Sequence, residues 1–184
     1  INNSTADNLA RELSDYCAGL VTGRPNGRGG VFKAALYTID HCLKTGAKTM
    51  ATPDGRHAAD PFAASITAYP GADKNGMTSY LKSAAKLDGN VFASSVVVNL
   101  KLDRSIANTE DKRKRLAAIF MAYLRMGGVQ LQMNYLSADE LILAQQNPEK
   151  YRNLRVRVTG FSGFFTTFDK TLQDELIRRS LHEG

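Results

Sequence analysis

The sequence contains 184 residues, of which 43% are hydrophobic and 23% charged. These values are typical of a globular domain that is large enough to bury a core. No apolar run approaches the roughly 20 residues that a membrane-spanning helix needs, and the first residues lack the basic start and apolar stretch of a signal peptide. The first residue is Ile1 rather than Met, so we expect the sequence to begin inside a longer chain or after a cleavage site.

The net charge is +6, from 24 Lys and Arg against 18 Asp and Glu. The one basic cluster, Lys-Arg-Lys-Arg at residues 112–115, follows Thr-Glu-Asp at residues 109–111. Acidic residues first and basic residues later suit the dipole of a helix, so the cluster predicts an exposed helix face. No aromatic residues are interleaved with it, which argues against binding of single-stranded nucleic acid. The sequence predicts neither a nucleic acid nor a membrane as a partner.

Two cysteines, Cys17 and Cys42, belong to no Cys-x-x-Cys pair, and no His stands at zinc-ligand spacing. We therefore predict no disulfide framework and no metal site. Two buried thiols in a reducing cytosol are the simplest interpretation, which places the protein in the cytoplasm.

The first half of the chain alternates helical spacing with turn signals. Apolar residues at helical spacing predict a helix over residues 5–20. Four glycines and a proline break the chain at residues 22–30, without a phosphate-binding motif. Residues 31–43 predict a strand or a short helix, Pro-Asp-Gly predicts a turn within residues 51–56, and residues 57–76 predict an ordered loop.

The second half carries clearer periodic patterns. We predict helices over residues 77–87, 110–126, 137–146 and 169–181, and strands over residues 94–102, 129–135 and 154–159. Gly127 and Gly128 end the second of these helices, and a capping box beginning at Ser137 opens the third. Strands that alternate with helices indicate the α/β class. About four strands are visible, too few for a closed eight-stranded α/β barrel.

Strict alternation over residues 129–135 separates two faces of one predicted strand. The apolar face consists of Val129, Leu131, Met133 and Tyr135, and the polar face consists of Gln130, Gln132 and Asn134. The polar face is either exposed to solvent or turned into a wet cavity.

Several motifs, in one order along nearly the whole chain, resemble the C-terminal region of glycyl radical enzymes. They lie at residues 28–30 (Arg-Gly-Gly), 51–56 (Ala-Thr-Pro-Asp-Gly-Arg), 78–88, 127–134 (Gly-Gly-Val-Gln-Leu-Gln-Met-Asn), 141–145, 147–151 (Asn-Pro-Glu-Lys-Tyr) and 154–163 (Leu-Arg-Val-Arg-Val-Thr-Gly-Phe-Ser-Gly). The Gln-Leu-Gln-Met-Asn sequence at residues 130–134 is more similar to the diol dehydratase and choline lyase branch than to pyruvate formate-lyase itself.

The resemblance implies an anaerobic, oxygen-sensitive radical lyase in which Gly160 stores an unpaired electron as a post-translational modification. A radical S-adenosylmethionine activating enzyme would remove one Cα hydrogen, and a cysteine thiyl radical would then attack a small-molecule substrate. The resemblance also implies that no cofactor is bound and that the full enzyme is a homodimer. Glycine suits the role because an α-carbon radical must become planar, which a Cβ would oppose. The alternative is that Gly160 only permits a bend after a strand.

The resemblance also assigns the residues around Gly160. Arg157 matches the arginine of the segment that the activating enzyme engages, or else is a solvent-facing residue on an alternating strand. Val158, Thr159 and Phe161 complete the radical loop, although Thr159 and Phe161 depart from the smaller residue or thiol and the tyrosine that are usual there. Gly163 matches a small-residue position and is otherwise a turn glycine.

A Gly-Cys motif for the thiyl radical is absent, since Cys17 and Cys42 both stand in other contexts. The sequence is therefore interpreted as part of a longer or split enzyme and is predicted to be inactive alone. Residues 1–126 would belong to the pyruvate formate-lyase-like α/β barrel, and residues 127–184 would form the glycine radical domain. The chain is expected to associate with the missing N-terminal catalytic part, or with itself.

Two other functions stay open at this point. The chain is alternatively a spare part that restores an oxygen-cleaved enzyme, or a non-catalytic basic binding module. Asp54 and Arg56 lie in a turn that would reach the active site, or in an Asp-Gly turn locked by its own side chain.

Overall fold

A computed structural model describes residues 3–38, 41–69, 72–158 and 160–181. The described part contains six α-helices: α1 (Ser4–Val21), α2 (His41–Gly46), α3 (Gly76–Ala84), α4 (Glu110–Arg125), α5 (Ala138–Gln146) and α6 (Lys170–Leu181). Short 3-10 helices at Arg104–Ala107 and Phe165–Thr167 were not predicted. No helix within these ranges is long and apolar enough to span a membrane.

The helices begin and end where local signals predict. Thr109 caps α4 by accepting a hydrogen bond from the Lys112 N–H at 3.3 Å. Gly127, with a φ of +102°, follows its end, a conformation that glycine adopts without a steric penalty. Ser137 caps α5 in the same way through the Glu140 N–H. These boundaries agree with the sequence because capping acts within a few residues.

Six short strands in the described residues form three separate pairs. They are β1 (Ala35–Leu36), β2 (Ser95–Val96), β3 (Val98–Lys101), β4 (Leu131–Asn134), β5 (Arg155–Val158) and β6 (Phe161–Phe164). Strand β1 pairs with β2 and β3 with β4 in parallel, whereas β5 and β6 form an antiparallel hairpin. The mixed helix and strand content agrees with the α/β prediction, but these pairs make no closed barrel within the described residues.

One prediction about strands is wrong. The single strand expected over residues 94–102 is divided at Val97, because β2 and β3 pair with different partners. Strand β6, which was not predicted, follows Gly160 directly and returns along β5. Residues 31–43 contain both of the alternatives that were open, namely β1 and the start of α2.

Two apolar clusters form most of the core. The first joins α3, β3 and α4 around Leu81, Val98 and Tyr123. The second joins β5, α5 and α6 around Ala144 and Phe165. A cavity of about 400 Å³ lies between them and is lined from both sides. Val158 of the predicted radical loop packs in the second cluster, while Leu131 of β4 packs against the first. The division at residues 126 and 127 stays a prediction.

Helix α1 exposes its apolar face. Leu9, Leu13, Tyr16 and Leu20 are all exposed, by 49 to 67% of their surface. Cys17 is exposed and Cys42 is buried, so the prediction of two buried thiols is wrong for Cys17. Helix α1 contacts the rest of the chain along its other side, where Ala18 packs with Phe92 and Val96 and Asp7 pairs with Lys86 at 2.7 Å.

The basic cluster at residues 112–115 lies on α4 and is exposed, as predicted. Two of its side chains contact the acidic start of the same helix, since Arg113 pairs with Glu110 at 3.0 Å and Lys114 with Glu110 at 3.6 Å. Pairs of this kind on an exposed helix contribute only tenths of a kcal/mol. The cluster is therefore an ordinary solvated helix face.

Candidate functional site

Gly160 lies at the tip of the β5–β6 hairpin. Val158 pairs with Phe161, so the chain reverses within the two residues between them. Gly160 has a φ of +89°, a conformation that residues with a Cβ rarely adopt. The turn therefore demands glycine for conformational reasons before any chemistry is considered. Gly160 itself is exposed in this chain.

The hydroxyl of Tyr37 fills the space where a side chain at Gly160 would lie. A Cβ built on Gly160 would stand 2.0 Å from the Tyr37 Oη and 3.0 Å from its Cζ. Contacts this short do not occur in folded proteins, so only a hydrogen fits at this position while Tyr37 stays in place. Tyr37 directly follows β1, which brings it to the hairpin from a distant part of the sequence.

Gly160→Ala is expected to lower the free energy of unfolding by roughly 1–2 kcal/mol through backbone strain alone, and further through displacement of Tyr37. Gly29→Ala is the matched control, because Gly29 has a similar φ of +78° but open space around it. Denaturant titration of both variants separates the two effects. Equal losses in the two variants would show that Tyr37 does not crowd Gly160.

The amide of Gly160 is held by a buried glutamine. The Gly160 N–H donates to the Gln132 Oε1 at 3.2 Å, and the Arg157 Nε–H donates to the same oxygen at 3.2 Å. Gln132 is only 5% exposed. Its Nε2 is buried and has no hydrogen-bond partner among the residues that the structure describes. One carbonyl oxygen thus joins the strand β4, the arginine of β5 and the glycine of the turn.

A second amide from the same strand face joins β4 to β5. Asn134 accepts a hydrogen bond from the Arg157 N–H at 2.8 Å and donates its Nδ2–H to the Arg157 carbonyl at 2.6 Å. The Asn134 side chain therefore satisfies both backbone groups of Arg157, as a neighbouring strand would. Because side chains alternate along a strand, Gln132 and Asn134 share one face. That face is turned inward onto the hairpin, so exposure to solvent, the first of the two orientations left open by the sequence, is not found for Gln132.

Arg157 contacts the candidate site directly instead of pointing freely into solvent. It is half-buried, and besides its bond to Gln132 its Nη1 lies 3.3 Å from the Ser162 Oγ. The guanidinium therefore spans the hairpin from β5 to β6 beside the turn. Its predicted contact with an activating enzyme stays a prediction.

The other residues of the predicted loop occupy three different environments. Val158 is buried in the second cluster. Phe161 is exposed and lies edge-on to Phe168, with ring centroids 6.1 Å apart. A Cβ at Gly163 would stand 2.5 Å from the Phe168 Cζ, so close packing of this ring requires glycine there. Thr159 lies outside the described residues.

The Asp54 and Arg56 turn is stabilised by its own contacts. The Thr52 hydroxyl donates to Asp54 and lowers the pKa of that exposed carboxyl below its usual value. Arg56 is 5% exposed, donates to main-chain carbonyls of its own loop, including that of Asp60 at 2.6 Å, and lies 4.6 Å over the Phe62 ring. These contacts explain the turn without a catalytic role, and its reach into an active site stays a prediction.

Two site residues were not identified as functional from the sequence. Gln132 was visible as part of a polar strand face, but nothing local indicated which way that face turns. Tyr37 carried no signal, because its contact with Gly160 depends on the whole fold. Within the described ranges, no group of three or more His, Cys, Asp and Glu side chains is placed to hold a metal ion.

The site consists of a glycine at the tip of a hairpin, whose backbone is contacted by the polar side chains of Tyr37 and Gln132. This arrangement defines the class of protein. A sequence model of the family described as "Glycine radical" matches residues 62–166. The chain therefore belongs to the glycyl radical family, and it carries the glycine radical domain of these enzymes.

Individual relatives agree with this assignment. The chain is 33% identical over 175 residues to trans-4-hydroxy-L-proline dehydratase of Clostridioides difficile, an alignment that covers 95% of this chain and 22% of the relative. It is 40% identical over 140 residues to the 4-hydroxyphenylacetate decarboxylase glycyl radical subunit of the same organism, covering 76% of this chain and 15% of the relative.

Solved structures extend the similarity to nearly the whole fold. The glycerol-bound form of the B12-independent glycerol dehydratase from Clostridium butyricum superposes with a TM-score of 0.92 at 34% identity, covering 97% of this chain and 23% of that one. The predicted resemblance to glycyl radical enzymes, and to their diol dehydratase branch, is confirmed. The chain spans less than a quarter of the length of each of these relatives.

Proposed function

We propose that this chain is the C-terminal, radical-bearing part of an anaerobic radical lyase and that Gly160 is its radical store. The observation that supports this most directly is the environment of one atom. The Gly160 α-carbon lies in a turn that excludes a side chain, beside the Tyr37 hydroxyl, and its amide N–H is bound by Gln132. Gly160 also lies inside the segment that the family model matches.

The proposed chemistry begins with an activating enzyme of the radical S-adenosylmethionine class. Its organic radical takes one hydrogen atom from the Gly160 α-carbon, which leaves one unpaired electron on that carbon. The electron is delocalised over the two flanking amides as the α-carbon becomes planar. Exposure of Gly160 on this chain gives the activating enzyme a surface to reach, and Arg157 beside it provides a fixed cation for recognition.

The attack on substrate requires a thiol that this chain does not bring to Gly160. Cys17 is on the outside of α1 and Cys42 is buried in α2. We infer that the thiyl cysteine belongs to an N-terminal catalytic part, with which this chain cleaves a carbon–oxygen, carbon–nitrogen or carbon–carbon bond of a small molecule. The relatives include dehydratases and a decarboxylase, which supports cleavage of a carbon–oxygen or a carbon–carbon bond. Carbon–nitrogen cleavage, the cytoplasmic location and the homodimer stay predictions.

The exposed apolar face of α1, formed by Leu9, Leu13, Tyr16 and Leu20, is the proposed contact for that missing part. Its exposure in this chain is expected to cause self-association of the isolated 184 residues at high concentration. Replacing both Leu9 and Leu13 with Glu should return the chain toward a monomer in light scattering. Asn8→Glu adds negative charge at an exposed polar position of the same helix and should leave association unchanged. A wild-type chain that stays monomeric at high concentration would contradict this proposal.

Anaerobic activation followed by electron paramagnetic resonance tests the radical store. The natural protein that contains these 184 residues should show a doublet from one α-hydrogen, which collapses when the protein is labelled with α-deuterated glycine. Gly29→Ala should keep the signal, whereas Gly160→Ala should lose it. A radical that persists in Gly160→Ala would show that another residue stores the electron.

The same observations bear on the spare-part alternative. Such a protein would be mostly limited to the hairpin end, whereas the similarity here covers 95% of the chain, well upstream of the hairpin. We therefore favour the lyase part. Restoration of activity when this chain is added to an oxygen-cleaved relative would instead favour the spare part.

A further inference from the structure

The Gln132 side chain makes contacts that packing alone does not explain. It is almost completely buried, yet its Nε2 lacks a partner among the described residues. Burying an amide nitrogen without a hydrogen bond is unfavourable, and an apolar side chain of similar shape would avoid that cost. The benefit of a glutamine must therefore come from its oxygen.

The orientation of the Gln132 amide follows from its neighbours. The Gly160 N–H and the Arg157 Nε–H are both donors, and each lies 3.2 Å from Oε1. An amide turned by 180° would place its NH2 against two donors, so the oxygen must face them. As a consequence, the Nε2 faces away from these donors and finds no partner in the described part of the chain.

We propose that Gln132 is the positioning residue for the Gly160 amide. Its Oε1 fixes the direction of the Gly160 N–H and couples it to the Arg157 guanidinium. This inference rests on the proposed function, because the purpose assigned to the contact is to prepare Gly160 for carrying the radical.

The chemistry gives this contact a defined effect. The unpaired electron on the α-carbon is shared with the lone pair of the adjacent amide nitrogen. An acceptor on the N–H increases the electron density of that nitrogen, and the Arg157 donor on the same oxygen limits the increase. Gln132 therefore sets both the orientation of the amide and the share of spin density that reaches it.

The positioning is tested first in the unactivated natural protein. In Gln132→Leu the Gly160 N–H loses its acceptor, so its hydrogen exchange should become roughly tenfold faster. Gln132→Glu should keep slow exchange, because Arg157 beside the carboxylate favours its charged, accepting form. Gln130→Leu is the matched control, since Gln130 is half-buried on the same side of the chain just before β4. Fragmentation mass spectrometry of the hairpin peptide provides the site resolution.

The effect on the radical is tested after anaerobic activation of the same variants. Gln132→Leu should change the hyperfine couplings of the Gly160 α-hydrogen and of the exchangeable amide hydrogen, and Gln132→Glu should move them back toward wild type. A residue with a merely structural role would alter the signal height without altering these couplings.

The outcomes separate this inference from the proposed function. Unchanged exchange in Gln132→Leu would overturn the positioning role, whatever the radical spectrum shows. Faster exchange with unchanged couplings would overturn the effect on the radical. If the activated wild-type protein gave no glycyl radical signal, the proposed radical store would be contradicted. The hydrogen exchange of the Gly160 amide would still decide whether Gln132 positions it.

Discussion

Air is expected to cut the activated protein at Gly160 and to release the residues after position 159 as a separate fragment. An α-carbon radical combines with dioxygen rapidly, and decay of the oxidised glycine then cleaves the backbone at that residue. Gly160 is exposed at a hairpin tip, so no side chain of this chain shields it completely from dissolved gas. Mass spectrometry after anaerobic activation and aeration should find both fragments in proportion to the radical measured beforehand.

Two controls test whether the cleavage depends on the radical. The unactivated protein and activated Gly160→Ala should both stay intact in air. Gly163 is a useful internal comparison, because it lies three residues away in the same hairpin but is packed against the Phe168 ring. A cut at Gly163, or an intact chain after a confirmed radical signal, would be incompatible with storage on Gly160.

Local patterns predicted the elements whose determinants are themselves local. Helix α4 was expected over residues 110–126 and is found at Glu110–Arg125. Thr109, which caps α4, and Gly127 lie within one or two residues of its ends. The residues that determine where this helix begins and ends are therefore all close to it in sequence.

Strands were predicted less well because their partners are remote in sequence. Residues 94–102 read as one apolar run, but β2 pairs with β1 whereas β3 pairs with β4. The break at Val97 comes from the positions of those two partners, neither of which the run itself encodes. Strand β6 was missed because its short Phe-Ser-Gly-Phe sequence has no sustained alternation.

The candidate site shows the same division between local and distant causes. Gly160 was identified from ordered motifs, and the conformation of its turn agrees with the demand for glycine. The inward direction of the Gln132 and Asn134 face depends on where β5 lies. On the apolar face, Leu131 packs against the first cluster, whereas Val129 and Met133 are 52% and 38% exposed, more than apolar side chains of an amphipathic strand usually are. We expect the proposed N-terminal part to cover that apolar face in the complete enzyme.

Asn134→Leu is expected to lower the free energy of unfolding by about 2–6 kcal/mol. The substitution removes both partners of the Arg157 backbone, and each buried backbone group left without a hydrogen bond costs about 1–3 kcal/mol. The loss should exceed that of Gln130→Leu, which precedes β4 and makes no such pair. Denaturant titration gives the free energies, and hydrogen exchange of the Arg157 amide checks that the loss is local.

Asn134→Asp tests whether both halves of this pair matter. A carboxylate still accepts from the Arg157 N–H, but its second oxygen would face the Arg157 carbonyl, which the Nδ2–H now contacts at 2.6 Å. We expect Asn134→Asp to keep the Arg157 amide protected from exchange and yet to lose stability, because two acceptors then oppose each other. If the aspartate variant were as stable as wild type, the Asn134 Nδ2–H bond to the Arg157 carbonyl would contribute nothing to holding the hairpin on β4. Gln132 and Asn134 would then differ in kind, with the first acting on the radical glycine and the second serving as a replaceable contact.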